Sequence, residues 1–350
     1  MLVSEKGEFE LIAALADAIT ARSRGQVDSL AEKGFRLRLS IGDDAAAWDT
    51  MSGATVFTTD TMVEGVHFDL QHIGWKDLGW KSMAINLSDV AAMGCLPTFS
   101  TVTLGLRGDL PVDGLVAMYH GMQDACGRYG GAIVGGDVVR SPVFFVTVAM
   151  QGAQPVGAEE CSVNLLTRDA ASPGDLIAVT GHLGCSAGGL RMVTQGLRFG
   201  ETTMRHLKDA HNRPEPRVDQ GSALVRAGAT AAIDVSDGLL ADLGKLAKAS
   251  GVDALIQSYL LPVDEVLKKT YPDDWLELAL GGGEDYELLF TAPSDVMDPA
   301  TTGPDVPLTV IGQVVEGTGQ VTVLNPDGKP LEADRSGWDH FPPRHEGKLR

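Results

Sequence analysis

No pair of cysteines in this chain has C-x-x-C spacing. The four present, Cys95, Cys126, Cys161 and Cys185, therefore encode neither a zinc knuckle nor a dithiol redox motif. So few cysteines in 350 residues are expected to be reduced thiols of a cytoplasmic protein. Long apolar runs are missing too. The longest, such as Val143 to Met150, have the length of a strand, against the roughly 20 apolar residues a membrane helix needs. The opening segment MLVSEKGEFE is acidic early and has no apolar stretch, so it reads as no signal peptide, and no membrane partner is expected. Basic residues are scarce: 28 Lys and Arg stand against 47 Asp and Glu, a formal net charge of −19. That balance argues against nucleic acid as a partner. Nucleotide motifs are lacking as well, with no G-x-x-x-x-G-K-[ST], no G-x-G-x-x-G and no kinase H-R-D or D-F-G. H-E-x-x-H is also absent. A nucleotide user built from this chain must hold phosphates by some other arrangement.

What is present is an ordinary globular composition, 44% hydrophobic, in a length that suggests about two domains. Phe9, Ile12, Leu15, Ala16 and Ile19 recur at helical spacing. Thr55 to Thr59 is β-branched and aromatic, as strands are. Trp75 to Met93 reads as an amphipathic helix stopped by Gly94, and Leu115 to Cys126 as another stopped by Gly130-Gly131. "FSTVTLGLRG", "AIVGGD" and "PVFFVTVAMQGA" read as strands. "PGDLIAVTG" opens a second unit, with a helix near Arg217–Ala227 and a strand, turn and helix in "AAIDVSDGLLADLGKLAKASG". "YELLFTAP", "LTVIGQVV" and "VTVLNP" are later strands. Helices and strands intermix in both halves, so the class is α/β or α+β in two domains, with the boundary in Gln154–Ala171. The expected division is 1–153 and 154–350.

The informative pattern is where the acids fall. Asp43 and Asp44 in "IGDDAA", Asp60 in "TTDT", Asp89 in "NLSDVAAMG", Asp137 in "VGGDVV", Asp234 and Asp237 in "IDVSDG", and Glu284 and Asp285 in "GGGEDYELLF" sit where strands or turns end beside small residues. Gathered carboxylates repel one another and are costly to bury without partners. Few Lys or Arg lie beside these motifs, so a hard divalent cation is the economical partner, and Mg²⁺ takes such oxygen ligands together with substrate phosphates. Taken singly, each acid has an ordinary alternative. Asp237 could cap the helix that begins at Gly238, and Asp89 could be a solvated helix position. His67 alone is as readily structural.

Taken in order, "GEFELI", "SIGDDAA", "TTDTMVEGVHF", "NLSDVAAMG", "IVGGD", "HNRPEPR", "AIDVSDGLLADLGKLAKAS", "LGGGEDYELLF" and "GWDHF" resemble the signature segments of the thiamine-monophosphate kinase family. That family lies within the aminoimidazole ribonucleotide synthetase and selenophosphate synthetase superfamily. The resemblance runs from about Gly7 to Phe341. It implies an N-terminal α/β domain for ATP, Mg²⁺ and dimerisation, a C-terminal α+β domain, and a homodimer formed through N-terminal strands. It implies phosphorylation of thiamine monophosphate to thiamine diphosphate by ATP, with several Mg²⁺ ions. Position by position, Asp44, Thr58, Thr59, Asp60, Asp89, Asp137, Asp234 and Asp237 match metal-binding positions. Gly136, Asp137, Arg168 and Ser236 match positions at the ATP phosphates, and His67, Glu284 and Trp338 match positions at the thiamine phosphate. The chain departs from the family pattern at Val138, His182, Cys185 and Gly281.

The acceptor is itself a phosphate, largely ionised at neutral pH because its second pKa is near roughly 6. Neither a general base nor a covalent nucleophile is therefore expected among the residues, and direct in-line transfer of the γ-phosphoryl group is. The alternative is another ATP-dependent phosphotransfer or ligase-type member of the superfamily. Selenophosphate synthetases carry a reactive Cys or selenocysteine in an N-terminal Gly-rich segment, where this chain's first cysteine is Cys95. The hydrogenase-maturation relative ends in a cysteine, and this chain reads "EGKLR" there. A non-enzymatic cation binder of the EF-hand kind would need D-x-[DN]-x-[DN]-G, which is absent.

Overall fold

The computed structural model describes residues 8–39, 47–49, 54–154, 165–298, 301, 303 and 305–332. The first half contains α1 (Glu8–Glu32), β1 (Arg36–Leu39), β2 (Ala47–Asp49), β3 (Thr55–Val63), α2 (Trp75–Ala92), β4 (Leu96–Leu106), α3 (Val112–Tyr129), β5 (Ala132–Arg140) and β6 (Phe145–Ala153). The second contains β7 (Leu176–Thr180), α4 (Cys185–Thr194), α5 (Glu201–Asn212), α6 (Val218–Ala227), β8 (Ala231–Asp234), α7 (Leu239–Ser250), β9 (Val252–Gln257), α8 (Glu265–Thr270), α9 (Trp275–Gly281), β10 (Leu288–Ala292), β11 (Leu308–Glu316) and β12 (Val321–Leu324).

Two larger sheets organise these elements. The first has the order β3-β6-β4-β5, with β4 and β5 parallel and the other pairs antiparallel. The second has the order β12-β9-β11-β7-β10-β8, antiparallel except for β9 and β12. Each sheet draws its strands from one half of the chain, which is the two-domain α/β organisation expected from the sequence. The glycine stops also act as expected: Gly94 and Gly251 sit at helix C-termini with φ of 72° and 66°, in the left-handed region that favours residues without a Cβ.

One element differs from its expectation. The helix at Trp75 to Met93 is in place as α2, yet it is not amphipathic. Leu78 to Ser88 form an unbroken buried run, because α2 packs on β3 and α3 of its own half and on α6 and β8 of the other. A helix covered on all sides needs no polar face. The helix pair α2–α3 comes very close. A Cβ on Gly79 would lie 1.8 Å from the Met118 carbonyl oxygen, and one on Gly121 would lie 1.8 Å from that of Lys76. Two glycines on facing surfaces let the two backbones meet directly.

The segment "HNRPEPR" fastens the halves together. The Arg213 guanidinium pairs with Asp77 at 2.9 Å and lies 4.3 Å from the centre of the Trp80 ring. The Trp80 indole N–H donates to the Pro214 carbonyl at 2.8 Å. Arg217 forms a two-pronged pair with the buried Glu287, both contacts at 2.6 Å, and the Thr180 hydroxyl donates to the same carboxylate at 2.7 Å. Such fork geometry fixes orientation as well as charge.

The α2–α3 contact is open to a direct test. Gly79→Ala and Gly121→Ala should each lower stability by about 1–3 kcal/mol, the usual cost of overpacking a core. Chemical denaturation would read this as a shifted midpoint. An unshifted midpoint in both variants would show that the two helices separate without cost.

Candidate active site

Strand alternation sets one wall of the site. Along β3, Thr58 and Asp60 face inward and are partly buried, whereas Thr59 faces the opposite, exposed side and donates its hydroxyl to the Val148 carbonyl at 3.1 Å. The next wall is α2, which presents Asp89 and Ser88 near its C-terminal end. The third is the exit of β8, where Asp234 ends the strand and Ser236 and Asp237 follow in a turn. Asp60, Asp89, Asp234, Ser236 and Asp237 thus converge on one cleft of about 710 Å³, whose rim also carries His67 and Glu284. The Thr58 hydroxyl donates to Asp89 at 2.5 Å, and the Ser88 hydroxyl donates to Asp234 at 2.7 Å.

The acids titrate as a crowded set. Burial first, then the neighbouring Asp89, pushes the Asp60 carboxyl up to about 7. Burial and Asp89 push Asp234 up to about 8 despite the Ser88 hydrogen bond. Burial also raises Asp89, against the lowering pull of Thr58 and Arg168. Carboxyls held protonated near neutral pH lack positive partners. The all-oxygen donor set, drawn from three elements, fits hard divalent cations of the Mg²⁺ type.

Arg168 lies behind this wall. It lines a smaller neighbouring cavity of about 180 Å³ with Thr58 and Asp89, so Asp89 faces both spaces. Gly136 and Asp137 are not brought into the cleft. They are exposed on the edge strand β5, three strands from β3 and thus on the order of 14 Å away along the sheet, and the Asp137 carboxylate accepts from the Val138 amide at 2.9 Å. Asp44 and Trp338 lie outside the described residues.

The cleft also holds residues that the sequence pattern did not single out. Lys81 of α2 is 1% exposed and pairs with Glu284 at 2.9 Å. His211 of α5 reaches the other oxygen of Glu284 at 3.3 Å, and the Ser186 hydroxyl lies 3.1 Å from the same ring nitrogen. Burial and Lys81 push His211 down to about 4, so it is neutral. Burial would raise Glu284, but the Lys81 ammonium outweighs it and holds the carboxylate below its usual range. Glu284 is therefore a fixed anion. The Nδ2 of Asn212, beside it, is buried without a hydrogen-bond partner among the described residues and lines the cleft. A lysine inside an apolar-looking helix and a histidine and asparagine in "HNRPEPR" carry no spacing signal that assigns them to a site.

The loop bearing Glu284 is strained. Glu284 and Tyr286 have φ of 65° and 53°, a left-handed conformation costing on the order of 1–3 kcal/mol per non-glycine residue. It is held by the Glu284 amide donating to the Ser236 carbonyl at 2.8 Å and the Tyr286 amide donating to Val235 at 2.9 Å. A Cβ on the preceding Gly283 would lie 2.5 Å from the Ser236 carbonyl oxygen, so the two turns meet backbone to backbone. The helix-cap alternative for Asp237 is not the one used. Asp242, one turn into α7, accepts from the amides of Ser236, Asp237 and Gly238 at 3.0, 2.9 and 3.2 Å. Asp237 instead pairs with Lys245 at 2.5 Å.

The raised carboxyls fix the sign of a pH effect. Groups whose folded pKa exceeds the unfolded value stabilise fully below the unfolded value and lose that contribution as pH rises through the folded one. For Asp60 and Asp234 the window runs from the ordinary carboxyl value of 3.8 up to about 7 and about 8. In chelator-treated protein, Asp60→Asn should therefore raise the thermal midpoint more at pH 8 than at pH 5, and added Mg²⁺ should close the gap. A pH-independent difference would remove the crowding argument.

Comparison with known proteins gives this geometry its family. Residues 42–154 match the model of the AIR synthase related protein N-terminal domain, and residues 172–325 that of the C-terminal domain. The thiamine-monophosphate kinase of Escherichia coli K12 is 39% identical over 341 residues, covering 96% of this chain and 98% of that protein. The crystal structure of the Stenotrophomonas maltophilia K279a thiamine-monophosphate kinase superposes with a TM-score of 0.78 at 38% identity, covering 91% and 97% of the two chains. The solved complex of AaThiL with AMPPCP and TMP superposes with a TM-score of 0.73 at 34% identity, covering 97% and 99%. Identity of 39% over nearly the whole of both chains, together with the two AIR-synthase-related domains, places this chain in the thiamine-monophosphate kinase family.

Proposed function

We propose that this protein transfers the γ-phosphoryl group of ATP to thiamine monophosphate, giving ADP and thiamine diphosphate. The observation that carries the reading is the convergence of Asp60, Asp89, Asp234 and Asp237 from both halves of the chain on one cleft, in a fold that matches a relative solved with a nucleotide analogue and TMP. Both reactants are anions, so their mutual repulsion is the main obstacle. Several Mg²⁺ ions, when bound, would supply the positive charge that offsets it. Asp60, Asp89, Asp234 and Asp237 would hold them, with Thr58 and Ser88 orienting two of the carboxylates. Asp44 and Thr59 complete the proposed metal-binding set of this cleft, and Arg168 and Ser236 its nucleotide set, while Gly136 and Asp137 stand apart from it on β5.

His67 and the fixed Glu284 anion, which also line the cleft, suit a cationic thiamine ring and its phosphate, with Trp338 as the proposed stacking partner. The Asn212 amide, lacking a protein partner, offers a further donor to the acceptor. The acceptor oxygen forms its bond to the γ-phosphorus as the bond to the β–γ bridging oxygen breaks, and ADP leaves with that electron pair. The acceptor carries no proton that must first be removed, so no residue is assigned as base. We further propose a homodimer formed through N-terminal strands. Phe57, on the outward side of edge strand β3, is 73% exposed, as an apolar residue awaiting a partner would be.

ADP release in the presence of Mg²⁺ should depend on added thiamine monophosphate, and folded Asp60→Ala or Asp89→Ala protein should lose turnover. ADP release indifferent to the acceptor, or full activity in either variant, would defeat the proposal. Incubation with γ-labelled ATP and no acceptor should leave no label on the protein, since transfer is direct. Stoichiometric label that an added acceptor discharges would assign a phosphoenzyme instead.

A further inference from the structure

Away from the cleft, three donor atoms of unlike chemistry face one point. Cys185 opens α4, His206 lies on α5, and Asp264 precedes α8. The Cys185 thiol sulfur is 3.9 Å from Nε2 of His206, and the same Nε2 is 3.3 Å from Oδ2 of Asp264. All three ligand atoms lie within 4.8 Å of one another. None of the three residues lines the active-site cleft.

The arrangement is not that of a Cys–His–Asp nucleophile. There the carboxylate sits on the ring nitrogen opposite the thiol, where it orients the base. Here sulfur and carboxylate oxygen share one nitrogen, which a single ring proton cannot serve in both directions. A cation serves all three. Bond lengths of about 2.0–2.3 Å to tetrahedral zinc place its ligand atoms roughly 3.3–3.8 Å apart, close to the two separations observed. The carboxylate is also preset. Oδ1 of Asp264 accepts from the Val266 amide at 2.7 Å, which caps α8 and leaves Oδ2 aimed at His206.

We propose that Cys185, His206 and Asp264 form a binding site for a thiophilic divalent cation of the Zn²⁺ class, separate from the Mg²⁺-type site in the cleft. Sulfur and imidazole donors select against Mg²⁺, which takes oxygen. Three protein ligands leave a fourth position for water, and the site faces solvent through His206 and Asp264, with side chains 41% and 25% exposed. Burial first, then Asp285 and Asp264, pushes the Cys185 thiol up to about 12, so metal uptake forms the sulfur–metal bond and releases the thiol proton to water, with no change of oxidation state. The metal would join the first turn of α4 to α5 and α8. Cys185 stands between Gly184 and Ser186, whose amides both donate to Asp285 at 2.7 and 3.3 Å.

Cobalt makes the test specific to thiolate. Full-length protein, first saturated with Mg²⁺ to fill the oxygen sites, is titrated with Co²⁺ and followed by absorption. One equivalent should give a sulfur-to-cobalt charge-transfer band in the near ultraviolet together with tetrahedral visible bands, and one equivalent of Zn²⁺ should bleach them. Asp60→Asn should keep the band. Cys185→Ser should lose it, and His206→Ala, at a half-exposed position that does not endanger the fold, should weaken Zn²⁺ competition by roughly tenfold or more. No band in the unsubstituted protein, a band that survives Cys185→Ser, or unchanged competition in His206→Ala would each overturn the site.

Discussion

Several carboxylates of one sign share a half-buried cleft, and much of the structure follows from that constraint. Bare, the cluster relieves its repulsion by keeping protons near neutral pH, as the raised Asp60 and Asp234 carboxyls indicate. The nearest cations are placed to one side. Arg168 acts on Asp89 from a neighbouring cavity, Lys245 holds Asp237 from the rim, and Lys81 is spent on Glu284. An interior so arranged is unfavourable while its carboxylates are ionised without cations, a cost that the proposed Mg²⁺ ions would remove.

That cost requires a rigid frame. The Asp cluster is supplied by β3 and α2 from one half and by the β8 exit from the other, so its geometry depends on how the halves meet. Arg213 against Asp77 and Trp80 fastens that junction with charged and aromatic contacts, and Arg217 against Glu287 anchors the same segment within the second half. Within the first half, the glycine-lined contact of α2 with α3 fixes the helix that bears Asp89. Within the second, Asp242 gathers three consecutive backbone amides and so shapes the turn that carries Ser236 and Asp237. The left-handed Glu284 and Tyr286 lean on that same turn.

Lys81, His211 and Glu284 form a second polar group lining the cleft, and its logic is the reverse. Here opposite charges are paired and both oxygens of Glu284 are occupied, so the carboxylate stays ionised while the imidazole stays neutral. One group is thus crowded with like charges, and the other is already satisfied.

Much of this was legible in the residues. Alternation and helical spacing located most of the strands and helices, glycine marked their ends, and acids beside small residues at strand exits marked the cleft. Those signals are local, and physics of short range writes them into consecutive residues. Other features depend on what lies across space. The all-round burial of α2 arises because a second domain covers the face that would otherwise meet water. Thr59 faces away from its neighbours Thr58 and Asp60 because a pleated strand alternates, and only the sheet decides which face is inside. Gly136 and Asp137 stand three strands from β3, a separation that strand order sets and sequence distance does not. Lys81, His211 and Asn212 become site residues only where α2 and α5 from different halves meet, and Cys185, His206 and Asp264 share a point only because the starts of α4 and α8 converge on the middle of α5. The sequence by itself determined the elements and the chemistry available at their ends; the packing of one half against the other decided which of those groups meet, because contact between residues far apart in the chain is a property of the folded whole.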